Sequence, residues 1–171
     1  MGDVRILIVK TGTTEPEVVA EHGDYDDWFR AHLGQRGIHP SLCEAWRGAA
    51  LPDPGSFDGV LLTGSPASVR DQAQWMAPLG RWAVDAAQSG VPVLAVCFGH
   101  QLVGEALGGL VEVNPAGPEY GTIRVELTEE GKRDALFRGM KSPLLAQSTH
   151  RDILTVPPQA TLLASTTNTR W

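Results

Sequence analysis

The sequence predicts an α/β fold in three layers: an open, mostly parallel sheet with helices on both faces. Short runs rich in Val, Ile and Leu alternate with segments of helical period, the pattern of successive strand–helix units. Those runs are apolar along their length rather than alternating, as strands covered on both sides require. With 171 residues, 42% of them hydrophobic and 20% charged, the chain is long enough to bury one sizeable core. A single domain over residues 1–171 is the expectation.

The first strand is residues 4–9. Residues 24–36 follow as the first helix, with Trp28, Phe29 and Leu33 on one side and Asp24, Asp26, Arg30 and Gln35 on the other. Gly37 then serves as its C-terminal stop. Residues 38–46 carry Pro40 near their start and predict a short or edge strand, bounded by the polar, Pro-containing turn at 47–56. Residues 58–63 (DGVLLT) read as a buried strand. Trp75, Leu79, Trp82, Ala83 and Ala86 recur at helical spacing over 74–89 before Gly90 breaks the run. VPVLAV at 91–96 is the most apolar strand and reads as fully buried; a helix at 101–110 closes on Gly108 and Gly109. Beyond it the pattern loosens, with strands near 110–114, 121–127, 144–148 and 161–165, a short helix near 129–137, and partly antiparallel pairing.

Several classes of partner are disfavoured. The net charge of −6 offers no footprint for nucleic acid. The longest apolar run, residues 91–98, is too short to cross a bilayer and contains Pro92. The first residues place Asp3, Arg5 and Lys10 around the first strand, unlike a signal peptide. Two cysteines, Cys43 and Cys97, are too few for a disulfide framework, which suits a reducing cytoplasm. Cys and His positions lack metal-ligand spacing, and there is neither a P-loop nor a Gly-x-Gly-x-x-Gly, so neither a metal nor another cofactor is expected.

The chemistry concentrates in V-P-V-L-A-V-C-F-G-H-Q, where a strand turns into a helix at Cys97 without an intervening loop. Such an elbow holds a nucleophile on a strained tip, and small residues two before and two after it, here Ala95 and Gly99, permit close packing. The helix beginning after Cys97 aims free N–H groups and its positive end at the sulfur, which should lower the thiol pKa and can also cradle an oxyanion. Most free cysteines are merely buried small hydrophobes. That reading suits Cys43, which has no elbow, and suits Cys97 poorly.

Cys97-Phe98-Gly99-His100-Gln101 resembles the nucleophile motif of class I glutamine amidotransferases, which have a flavodoxin-like sheet. L-L-T-G-S-P-A-S-V at 61–69 is similar to the family's oxyanion loop, with Ser65 where many members have a second Gly. P-E-Y-G at 118–121 and S-T-H-R-D at 148–152 resemble later family landmarks in the right order. The likeness spans nearly the whole chain and is closest to stand-alone proteins similar to the amidotransferase domain of GMP synthetase. Ala95 departs from the family's usual Gly.

The resemblance implies that Cys97 attacks the glutamine carboxamide, forms a γ-glutamyl thioester and releases ammonia to an acceptor synthetase. It gives the backbone N–H groups of Ser65 and Phe98 the oxyanion role, and Gly64, Gln101, Ser148 and His150 a place around the substrate glutamine. The family's proton-managing pair is a later His-Pro-Glu, absent from these residues. The expectation is therefore a C-terminally incomplete chain, nearly inactive as it stands, with an exposed apolar surface and a possible homodimer. His22, His32 and His39 read as solvated or local, His100 as lying on the helix flank near Cys97, and His150 as a weaker candidate for the base. Two alternatives share the fold: a γ-glutamyl peptide or amide hydrolase using the same cysteine, and a catalytically silent binding domain. Glutamate release from glutamine against γ-glutamyl dipeptides separates the first from the amidotransferase.

Overall fold

A computed structural model describes residues 4–166, and the chain divides into two compact units, Met1–Ala106 and Leu107–Trp171. Unit 1 is built on four parallel strands. They are β1 (Ile6–Lys10), β2 (Ser41–Glu44), β3 (Gly59–Leu62) and β4 (Val93–Ala95), in the spatial order β2-β1-β3-β4. The register aligns Ile8 with Leu42 on one side and with Leu61 on the other, and Leu62 with Ala95. The two inner strands are buried throughout their apolar runs, with Leu7, Ile8, Val9 and Leu62 at 0–1% exposure. This is the continuous apolar pattern of parallel strands covered on both faces.

Helices α1 (Pro16–His22), α2 (Tyr25–Gly34), α3 (Met76–Gln88) and α4 (Phe98–Ala106) flank this sheet, so the α/β expectation holds. Leu79, Ala83 and Ala86 of α3 are wholly buried, as their spacing predicts. Gly80 lets α3 approach α4. A β-carbon there would stand 3.1 Å from Ala106 Cβ and 3.3 Å from the Leu102 carbonyl.

Three expectations need correction. The strand at 91–96 is not fully buried: β4 is the last strand on its side among the described residues, and Leu94 is 45% exposed. Its apolar sequence resembles an inner strand because edge and centre differ in neighbours, not in composition. Helix α1 is not anticipated by the sequence pattern, since its seven residues bury none of their side chains and so carry no periodic stripe. The apolar face assigned to α2 is also wrong in its detail. Trp28 is 38% exposed, and the residue α2 buries is Asp26.

An ion cluster explains that inversion. Lys10, at the end of β1 and itself buried, lies 2.7 Å from Asp24 and 2.6 Å from Asp26. Burial disfavours the Lys10 charge, but the two carboxylates outweigh it and hold the ammonium above its ordinary value. Asp24 is also the N-cap of α2, where its side chain accepts from Tyr25 N–H while Asp27 accepts from Asp24 N–H. Thr13 Oγ1 and Thr14 N–H donate to the same Asp24 carboxylate. Burial would raise the Asp24 pKa, but these donors and Lys10 bring it down to about 2.

Unit 2 is antiparallel in every pairing among its described residues. Strand β5 (Val111–Val113) pairs with β8 (Asp152–Leu154), while β6 (Glu119–Leu127) lies between β7 (Leu144–His150) and β9 (Ala164–Ser165). Val125, Leu127 and Ala164 form a small core joined by Ile123, Phe137, Leu144 and Ala146. The helix expected near 129–137 is α5 (Glu129–Arg133), capped by Thr128 through its bond from Gly131 N–H, followed by a short 3-10 turn. Strand β8 is not visible in the sequence because three residues are too few to show a period.

The Asp24 cluster makes a linkage prediction. A carboxyl held at about 2 against the ordinary 3.8 contributes stability that is complete above 3.8 and is lost as pH falls towards 2. Asp24→Asn should therefore destabilise the protein by about 2 kcal/mol at neutral pH. Urea denaturation should show the gap to the parent closing between pH 3.8 and 2; a gap independent of pH would refute the electrostatic origin.

Candidate active site

Cys97 sits where β4 passes directly into α4. Its φ is +52°, in the left-handed region that residues with a β-carbon enter only under constraint. The constraint comes from the flanking hydrogen bonds. Val96 N–H donates to the Leu62 carbonyl at 3.1 Å, which continues the β3–β4 ladder up to the cysteine. On the other side, Gly99 N–H reaches the carbonyls of Thr63 (3.2 Å) and Val96 (3.0 Å), and Gln101 N–H bonds the Cys97 carbonyl at 3.0 Å.

Gly99 makes that geometry possible. A β-carbon at this position would lie 2.8 Å from Leu62 Cβ and 2.9 Å from the Thr63 carbonyl, closer than real β-carbons come. The first turn of α4 is thus pressed onto the end of β3, and Cys97 is lifted at the bend. This matches the small-residue requirement read from the sequence. Ala95, paired with Leu62 in β4, occupies the position two before the cysteine.

Gly64 and Ser65 follow β3 and stand beside the bend. The β-carbon direction of Gly64 points at Cys97 Cβ, 3.6 Å away. The hydroxyls of Thr11 and Thr63 both donate towards the Gly64 carbonyl, at 2.9 and 3.0 Å, on the side of β1. Because a trans peptide points its C=O and the next N–H in opposite directions, Ser65 N–H is aimed away from Thr11, towards the side on which β4 and Cys97 lie. Thr11 N–H and Oγ1 also bond Thr63 Oγ1 and the Thr63 carbonyl, at 3.1 and 3.0 Å, so the loop is fixed before any ligand arrives. This role of Thr11 was missed from the sequence; its signal would have been a polar side chain at the carboxyl end of an inner strand.

The electrostatics of the sulfur differ from expectation. Burial raises the Cys97 thiol above its ordinary 9.0, and the hydrogen bond from Phe98 N–H opposes that rise without cancelling it. The expected lowering by the helix start therefore loses to desolvation. Phe98 is 1% exposed, its ring tilted against Trp75 at 5.7 Å between centroids. Gln101 is buried one turn along α4. Burial also pushes the His100 imidazole below its ordinary range. Cys43, by contrast, is buried in β2 with its Sγ 3.6 Å from the Ala50 carbonyl, which agrees with a packing role.

Cys97, Phe98, Gly64, Ser65 and Gln101 are thus gathered in unit 1, whereas Ser148 and His150 belong to unit 2. Ser148 pairs with Gly121 across β6 and β7, and His150 with Glu119. The His150 and Glu119 side chains are both buried and meet at 3.0 Å, Nε2 to Oε2. Nδ1 lies 3.1 Å from the Asp152 carbonyl, and Thr166 Oγ1 donates to the other Glu119 oxygen at 2.9 Å. P-E-Y-G and S-T-H-R-D stand far apart in the sequence; only the strand register brings their Glu and His together. No group of three or more His, Cys, Asp or Glu side chains suited to a metal ion occurs among the described residues.

Comparison with known proteins agrees with this geometry. The description of the class-I glutamine amidotransferase family matches residues 36–170. The amidotransferase-type subunit of the glutamine-hydrolysing GMP synthase of Saccharolobus solfataricus is 35% identical over 67% of this chain and 57% of its own length. The glutamine-hydrolysing GMP synthase of Aeropyrum pernix is 33% identical over 87% of this chain and 28% of its own. The chain therefore spans a little over half of the first relative and less than a third of the second. A glutamine amidotransferase from Thermotoga maritima has the same fold, with a TM-score of 0.78 at 20% identity over 98% of this chain and 69% of that one. With the family description matched across most of its length and the cysteine elbow at the expected bend, the chain belongs to the class-I glutamine amidotransferases.

Proposed function

We propose that this chain carries out the glutaminase half-reaction, with Cys97 as the nucleophile. The observation that carries the reading is the left-handed Cys97 at the β4–α4 bend, with Gly64 beside it and Phe98 N–H bonded to its sulfur. In the reaction the Cys97 thiolate attacks the side-chain carboxamide carbon of glutamine. The tetrahedral oxyanion accepts hydrogen bonds from the N–H groups of Ser65 and Phe98. As the C–N bond breaks, the nitrogen takes a proton and leaves as ammonia, with the γ-glutamyl group held as a thioester. Water then hydrolyses the thioester to glutamate and restores the thiol.

Gly64 leaves room for the substrate beside the sulfur, and Gln101, Ser148 and His150 are assigned to holding the glutamine. For His150 the assignment is positional. Both its ring nitrogens face acceptors in unit 2, which favours holding β7 in place over serving as the base. The ammonia goes to a synthetase partner, by analogy with relatives that are GMP synthase subunits, in the cytoplasm. No helix among the described residues is long and apolar enough to cross a membrane.

The direct test uses 6-diazo-5-oxo-L-norleucine, an electrophile with the glutamine skeleton. Mass spectrometry should find one adduct, on Cys97, formed more slowly as glutamine is added and absent in Cys97→Ser. An adduct on Cys43, or labelling indifferent to glutamine, would sink the assignment.

Two further outcomes follow from the elbow. Since the thiol is raised above 9.0, iodoacetamide alkylation of Cys97 should still be rising at pH 9 and not level off near neutrality; a plateau below pH 8 would mean that the sulfur is ionised by something this geometry lacks. Gly99→Ala forces a methyl group against the Thr63 backbone, and should cost about 2 kcal/mol in urea denaturation while slowing the norleucine adduct. Parent-like stability and labelling together would contradict the close approach.

A further inference from the structure

Unit 1 contains a cavity of about 300 Å³ that the glutaminase reaction does not use. It opens at the carboxyl ends of the strands, the usual side for ligands in sheets of this type. Its walls come from the loop after β1 (Thr11, Thr13), from Trp46 after β2, from Ser65 after β3, and from Asp71 and Trp75 ahead of α3. Trp75 reads from the sequence as part of the packed face of a helix; instead it precedes α3 and lines this space.

The composition of the walls selects among ligands. Two indoles and the apolar parts of Pro66, Ala67 and Met76 supply most of the surface. Among the described residues, Asp71 is the only charged side chain in the lining, and no Lys, Arg or His belongs to it. An anion would meet a carboxylate and no counter-charge. A compact cation would meet that carboxylate together with aromatic faces, an arrangement that attracts ammonium groups. One Asp71 oxygen already accepts from Ser68 N–H at 2.9 Å, so the carboxylate is held in place. Trp46 shows that its ring takes a cation, since Arg47 Cζ lies 4.7 Å from its centroid. The volume has room for roughly ten water-sized groups, which sets the size of the occupant.

The same walls touch both proposed oxyanion donors. Ser65 lines the cavity with its side chain packed towards Gly12, while the preceding residue, Gly64, faces Cys97. Trp75 lines the cavity and rests its ring on Phe98. Whatever fills the space therefore presses on the two residues that flank the sulfur, from the side opposite to it.

We propose that this cavity binds a small organic ammonium ion, one positive charge on a compact apolar body, and that its occupancy alters the reactivity of Cys97 through Ser65 and Trp75. The binding half stands independently of the glutaminase assignment; the coupling half rests on it.

The test uses tetramethylammonium chloride against tert-butanol, a neutral body of similar size, with sodium chloride matching ionic strength. Calorimetry and tryptophan fluorescence should show saturable binding of tetramethylammonium with a Kd on the order of millimolar. Binding of tert-butanol should be at least about fivefold weaker, and Asp71→Asn, which keeps an acceptor for Ser68 N–H, should weaken the cation by a similar factor. Ala73→Leu, which fills the cavity, should abolish the signal. Equal binding of the two probes, no saturation, or full binding by Asp71→Asn would each overturn the site. For the coupling, saturating tetramethylammonium should change the rate of iodoacetamide alkylation at Cys97 by about twofold or more in the parent and leave Ala73→Leu unchanged; an unaltered parent rate removes the coupling. Formation of the glutamine-competed norleucine adduct is scored separately, so loss of the cation site and loss of the glutaminase reading are distinguishable.

Discussion

The approach of Gly99 to the end of β3 constrains everything around the sulfur. With no side chain on that residue, the first turn of α4 seats on Leu62 and Thr63, and the chain can meet that demand only by bending sharply at the residue between strand and helix. The left-handed φ of Cys97 is the consequence, at a cost on the order of 1–3 kcal/mol that the surrounding ladder and helix must offset. The strain is local, but its support is not. Thr11, on the neighbouring inner strand, fixes the Gly64 carbonyl and thereby the direction of the next amide. Three successive strand ends thus contribute to one site, each through its backbone.

Parts of this arrangement were legible in the sequence for a clear reason. The elbow is written in adjacent residues, so Cys97, Phe98 and Gly99 declare it without any knowledge of the fold. Strands β1 and β3 declare themselves through unbroken apolar runs, and α3 through Leu79, Ala83 and Ala86. Partners distant in the chain were not legible. Thr11 and Gly64 are separated by 53 positions, and Glu119 and His150 by 31; only pairing registers bring them together.

The largest misreading concerns polarity. Helical period puts Asp24 and Asp26 on the wet side of their helix, where carboxylates usually lie. In the fold they face inward, since Lys10 ends an otherwise apolar strand and needs counter-charges where it is buried. A lysine closing a buried strand could have given warning: an ammonium without partners would be far more costly than two carboxylates turned towards it. The exposed Leu94 is the converse case, an apolar residue whose surroundings the local sequence does not specify.

Cys43 lends the molecule a practical property. Its sulfur is enclosed in β2 against the Ala50 carbonyl, and burial raises its thiol as well. The chain has only one other cysteine, Cys97, which is more accessible. A fluorinated tag delivered under mild conditions should therefore settle at the bend without any engineered site, giving a magnetic-resonance reporter where strand, helix and neighbouring loop converge.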